Sequence, residues 1–162
     1  MPSPCTCLVA LLHPKFQEED RQHLINEFES LQNPVKLLMF TQKLECQYCQ
    51  ETRMIAQEVA ELSDLISVEV YDFVADKEVV EHYDIDKIPA IAVLRGGDEP
   101  QDYGIRYFGI PSGYEFSSII EDVMMVSQGE SGLSEETKAQ VGEFDIRQSL
   151  LAMNRLRILD RF

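Results

Sequence analysis

The feature that most restricts the fold is a nearly continuous apolar run, Val35–Thr41 (VKLLMFT), that passes through a short polar segment into Cys46-Gln47-Tyr48-Cys49. An apolar run of strand length is what a strand covered on both faces requires. From Gln47 to Ser63 the residues Ile55, Val59 and Leu62 mark one helical face, and Glu51, Glu58 and Glu61 lie mostly off it, so the spacing predicts a helix that begins at the cysteines. The cysteine pair therefore falls where a buried strand hands over to a helix.

The remaining elements follow from the same reading. Phe16, Leu24, Ile25, Phe28 and Leu31 have helical spacing, with Glu18, Glu19 and Asp20 crowding the first turn, and predict a helix over 17–31 that Asn33-Pro34 stops. Ile66 to Phe73 alternates as a strand, and Asp76 to Tyr83 suits a short helix. Ala90 to Leu94 and Tyr103 to Phe108 are strands of a hairpin about the turn Gly96-Gly97-Asp98-Glu99-Pro100. Ser112, with Glu115 three residues on, predicts a capping box for a last helix carrying Phe116, Ile119, Ile120, Val123 and Met124. A parallel β-α-β unit followed by a hairpin and a helix predicts an α/β fold, a mixed four-stranded sheet flanked by helices.

At 162 residues the chain has room for one ordinary domain and a remainder. The expected division is an N-terminal extension at 1–16, the domain at 17–128, and a linker with a C-terminal segment at 129–162. Gln128 to Glu136 looks like the linker, and Ser134 starts another helix. Net charge is −15, from 29 acidic against 14 basic residues. Such an excess repels phosphate backbones and anionic lipid, so neither nucleic acid nor membrane is an expected partner. The tail is the local exception: Arg147 to Phe162 holds four arginines and one aspartate among Leu150, Leu151, Met153, Leu156, Ile158, Leu159 and Phe162, and points to assembly, such as a homo-oligomer. Cys5 to Leu12 lacks the basic residues and cleavage pattern of a secretory signal, and nothing approaches the roughly 18 apolar residues of a membrane helix. A cytoplasmic location is expected, where a close cysteine pair is more often catalytic or metal-binding than structural.

Two intervening residues bring both sulfurs within reach of one disulfide. At a helix start, the dipole and unpaired backbone N–H groups favour an anion, which makes Cys46 the attacking thiolate and Cys49 the resolving thiol of a dithiol that exchanges disulfides. Lys43 assists ionisation and Glu45 opposes it, both weakly if solvent screens them. No cofactor is required.

These residues resemble the thioredoxin superfamily, and within it the N-terminal unit of glutaredoxin-like protein disulfide oxidoreductases. The matching pieces are NPVKLLMFTQKLECQYC at 33–49, DIDKIPAI at 84–91 and YGIRYFGIPSGYEF at 103–116. The resemblance implies a thioredoxin-like fold, protein disulfides as substrates, and a thiol or reductase as electron donor. It also implies a cis Pro89 that leaves the backbone of Ile88 free to pair with an extended substrate segment. Gln47 and Tyr48 would form the rim around Cys46, and Gly109 would let the substrate backbone approach. Thioredoxins carry a buried aspartate six residues before the first cysteine, where this chain has Phe40. Full-length members have a second unit with its own cysteine pair, which this chain lacks, so 129–162 reads as a truncated or altered start of that unit.

Other readings stay open. Cys5 and Cys7 with Cys46 and Cys49 could make a four-sulfur zinc site, a structural module that a chelator would unfold. A redox-inactive interaction protein with the same fold is the other alternative. His13, His23 and His82 have no metal-ligand spacing. Tyr103, Tyr107, Phe108, Tyr114 and Phe116 sit on alternate strand positions and helix faces, which places them in the core rather than in a ligand box.

Overall fold

The computed structural model of the chain describes residues 17–129 and 133–142. The chain divides into two compact units, Met1–Gly129 and Glu130–Phe162. In the first, α1 (Glu18–Phe28), β1 (Val35–Thr41), α2 (Cys49–Ala60), β2 (Ile66–Asp72), α3 (Lys77–His82), β3 (Ala90–Arg95), β4 (Gln101–Phe108) and α4 (Tyr114–Gln128) follow in that order. In the second, α5 (Glu135–Gly142) starts at Ser134, whose Oγ accepts the Thr137 N–H at 3.2 Å. Cys5, Cys7, His13 and the apolar tail expected to support assembly lie outside the described residues.

The four strands form one sheet in the order β2-β1-β3-β4. β1 runs parallel to β2 and antiparallel to β3, and β3 runs antiparallel to β4. The two central strands are therefore the ones with near-continuous apolar sequence. On one face Leu37, Met39, Ile91 and Val93 pack with Leu24 and Phe28 of α1, Ala56 and Val59 of α2, and Ile119 and Val123 of α4. On the other, Leu38, Phe40, Ala90 and Ala92 pack with Val80 of α3 and with Ile85.

Three local expectations change. Helix α2 begins at Cys49, because Tyr48 at φ −112°, ψ 2° is not helical, so Cys46 precedes the helix rather than occupying its first turn. Ser112 makes no side-chain cap. The chain enters α4 through Gly113 at φ +56°, a conformation glycine adopts freely, and the Glu115 N–H meets the Ser112 backbone carbonyl instead. The third change concerns the aromatic set. Tyr107 and Phe116 pack against the core, but Tyr103 and Phe108 are each 43% exposed and Tyr114 is 95% exposed. β4 is an edge strand whose register shifts between Val93 and Leu94, a bulge that carries Tyr103 and Gly104 (φ +81°) out of the ladder. The bulge is closed by the Gly104 N–H on Asp102 Oδ1 at 2.8 Å and by the Arg106 guanidinium on the Asp102 carboxylate. That guanidinium holds the Asp102 carboxyl below its usual range.

Helix α4 ends at Gly129, in the left-handed conformation and with its N–H on the Met125 carbonyl, just past the expected domain end at 128. Near that end the fully buried Ser127 holds the approach to β1. Its Oγ accepts the N–H groups of Gln32 at 2.9 Å and Asn33 at 3.0 Å and donates to the Asn33 carbonyl at 2.7 Å.

Candidate active site

The strand directions bring the C-terminal ends of β1, β2 and β4 and the N-terminal end of β3 to one edge of the sheet. The cysteine pair, the Ile88-Pro89 bond and Gly109 all lie along that edge, although the sequence separates them widely. Cys46 and Cys49 are joined by a disulfide with Cα atoms 5.5 Å apart. Cys46 is half-buried, and Cys49 is 3% exposed on the inner face of α2. This is the asymmetry that an attacking and a resolving sulfur need: one open to a partner, the other shielded behind it.

The Ile88-Pro89 peptide is cis. Pro89 is buried, Ile88 half-buried, Gln47 exposed, and Tyr48 47% exposed. Gly109 has φ +92°, a conformation that residues with a side chain rarely adopt. Its N–H donates to the Pro89 carbonyl at 2.9 Å, extending the β3–β4 ladder past its last pair, Ala90 and Phe108. The Gly109 carbonyl in turn faces Thr52 Oγ1 at 3.3 Å, and the same hydroxyl lies 2.9 Å from the Tyr48 carbonyl. A chain of hydrogen bonds thus runs from Tyr48, between the two cysteines, through Thr52 and Gly109 to Pro89.

Thr52 was not among the residues that sequence reasoning selected. A signal existed: it is a polar residue three positions after Cys49, on the helix stripe that also carries Ile55, Ala56 and Val59, and it is fully buried.

Lys43 and Glu45 are both exposed, so solvent screens their opposite effects on Cys46. Phe40 is fully buried, and its ring lies 5.7 Å from that of Tyr71 and 6.2 Å from that of Tyr83. No carboxylate occupies that core position. A charged network joins β1 and β2: the Tyr71 hydroxyl donates to Glu69 at 2.7 Å, and Lys36 pairs with Glu69 at 2.6 Å. The bond to Glu69 pushes the Tyr71 phenol up to about 12, and the hydrogen bonds from Lys36 and Tyr71 hold Glu69 below its ordinary value. On the opposite face, burial and the bond to Asp122 raise the Tyr107 phenol as well. Among the described residues no group of three or more histidines, cysteines or acids is arranged to hold a metal ion.

No protein-family model matches the chain, and no curated protein does. Solved structures do. The chain is similar to a protein disulfide oxidoreductase from Aeropyrum pernix K1, at 26% identity and a TM-score of 0.68, over 78% of this chain and 54% of that one. It is similar also to the N-terminal domain of alkylhydroperoxide reductase AhpF from Enterococcus faecalis V583, at 28% identity and a TM-score of 0.67, over 75% of this chain and 57% of that one. The chain spans a little over half the length of each. The sheet order, a cysteine pair at the start of α2 and these likenesses together give the chain a thioredoxin-superfamily fold.

Proposed function

We propose that the chain is a thiol-disulfide oxidoreductase that exchanges disulfides with protein substrates through Cys46 and Cys49. The observation that carries this reading is the disulfide itself, with one half-buried and one buried sulfur, tied by hydrogen bonds to the Pro89 turn. The likeness to a protein disulfide oxidoreductase supports it.

In the reducing direction the Cys46 thiolate attacks a substrate disulfide. A bond forms between Cys46 Sγ and one substrate sulfur, the substrate S–S bond breaks, and the other substrate sulfur leaves as a thiolate that takes a proton from water. Cys49 then loses its proton to water, since Phe40 offers no carboxylate, and attacks Cys46 Sγ. The Cys46–Cys49 disulfide re-forms and the second substrate sulfur departs. Two electrons have passed from the pair to the substrate; the second sulfur, like the first, leaves as a thiolate that takes a proton from water, to which Cys46 and Cys49 have each given theirs, and an external dithiol or reductase restores the pair. The reverse sequence oxidises substrate dithiols.

In this reading the substrate lies as an extended segment along Ile88 and Pro89, Gln47 and Tyr48 form the rim, and Gly109 leaves room for its backbone. Residues 17–128 are the working unit. No described helix is long and apolar enough to cross a membrane.

The test is insulin reduction with dithiothreitol. Cys46→Ser should abolish turnover, and Cys49→Ser should accumulate a mixed disulfide visible by mass spectrometry. Variants that both match the parent rate would overturn the reading.

A further inference from the structure

Thr52 is the polar side chain buried beneath the site, and two facts set it apart. Its hydroxyl carries one proton but faces two carbonyls, those of Tyr48 at 2.9 Å and Gly109 at 3.3 Å. The two acceptors are not equivalent. The Tyr48 carbonyl already accepts the Thr52 backbone N–H at 3.1 Å, as in any helical turn, so a hydroxyl bond there is redundant. The Gly109 carbonyl faces the hydroxyl from a separate segment, 57 positions away in sequence. The proton can therefore serve Gly109 without leaving Tyr48 unpaired.

The consequence lies in what the two carbonyls belong to. Tyr48 is in the wall that holds the disulfide. Gly109 is in the opposite wall, and its N–H fixes the Pro89 carbonyl. The side chain is fully buried on the inner face of α2, so its surroundings hold the hydroxyl in place.

We propose that Thr52 is a positioning residue that sets the spacing between the Cys46–Cys49 wall and the Ile88–Pro89–Gly109 wall. This rests on the disulfide-exchange reading above. The brace matters for a substrate that must engage both walls at once, by its sulfur at Cys46 and by its backbone along Ile88. It matters less for a small disulfide that meets the sulfur alone. The structure thus ties selectivity for polypeptide over small-molecule disulfides to a hydroxyl that touches neither substrate.

The experiment compares kcat/KM for insulin with that for dithiobis(nitrobenzoate) in the parent, Thr52→Val, Thr52→Ala and Thr52→Ser. Valine keeps the shape and removes the hydroxyl, so the insulin-to-small-disulfide ratio should fall about five- to tenfold, mostly through KM, as expected for one hydrogen bond and a misplaced wall. Alanine, which adds no methyl against Gly109, should lower the ratio likewise, and serine should restore it to within about twofold. An unchanged ratio in the valine and alanine variants, or a serine variant as impaired as valine, overturns the proposal. So does loss of the native near-ultraviolet circular dichroism in both hydroxyl-free variants, because a brace confined to one carbonyl cannot carry the fold. A parent that reduces neither disulfide defeats the exchange reading itself, whereas an active parent with an unchanged ratio defeats only this one.

Discussion

Replacing Ser127 with alanine removes one oxygen that serves three backbone groups. The N–H donors of Gln32 and Asn33 lose their acceptor, and the Asn33 carbonyl loses a donor. Ser127 is fully buried, but Gln32 is exposed and Asn33 half-buried, so water reaches some of the orphaned groups. Each then costs about 1 kcal/mol, near the lower end for an unsatisfied buried group, and together about 3 kcal/mol. For the domain of about 110 residues, an unfolding entropy of about 2.1 cal/mol/K per residue gives about 0.23 kcal/mol/K, so Tm should fall by about 13 °C. Ser118→Ala is the control in the same helix. Its exposed hydroxyl only bonds the Tyr114 carbonyl, and its loss should stay within about 0.5 kcal/mol. The staple holds the N-terminal end of β1, at the opposite edge of the sheet from the cysteines, so insulin reduction at room temperature should survive. Calorimetry or denaturant unfolding of both variants gives the comparison. A loss in Ser127→Ala no larger than in Ser118→Ala would refute the reasoning that buried backbone groups depend on this hydroxyl.

Gly109→Ala tests the site's backbone: nothing lies within 4 Å of the added Cβ, so the cost is conformational alone, about 1 to 2 kcal/mol, and a denaturant midpoint equal to the parent's would contradict it. The Lys36–Glu69–Tyr71 group makes stability depend on pH at both ends. Tyr71, raised from 10.0 to about 12, contributes fully below its ordinary value and loses that contribution as pH climbs through the interval, whereas Glu69, lowered from 4.5, contributes above that value and loses it as pH falls. Both groups are half-buried and solvent still screens them, so the stability difference between parent and Tyr71→Phe should be only about 0.5 kcal/mol near neutrality. It should shrink as pH climbs, and a difference that stays constant across that interval in denaturant unfolding argues against the hydrogen bond to Glu69.

Much of the architecture was legible because periodicity reports burial about an element's own axis. Val35–Thr41 is uniformly apolar and became a central strand with the expected bounds. The stripe Ile55, Val59 and Leu62 became the inner face of the helix after the cysteines, with Leu62 just past its end. The candidate site was legible in part, through the cysteine spacing and the matching segments around Pro89 and Gly109. The aromatic residues from Tyr103 to Phe116 show where this reading fails. Alternation places a side chain on one face of a strand, but whether another layer covers that face depends on the strand's place in the sheet. β4 is an edge strand with a bulge, so Tyr103 and Phe108 reach solvent.

The amino-acid order alone determined the succession of elements, the central strand and the pairing distance of the two cysteines, because each depends on residues close together in the chain. Only the tertiary structure decided that Thr52 meets Gly109, that Gly109 meets Pro89, and that Ser127 holds the segment before β1. Those meetings follow from strand order and direction, and a hydroxyl carries no mark in the sequence of which distant carbonyl will face it.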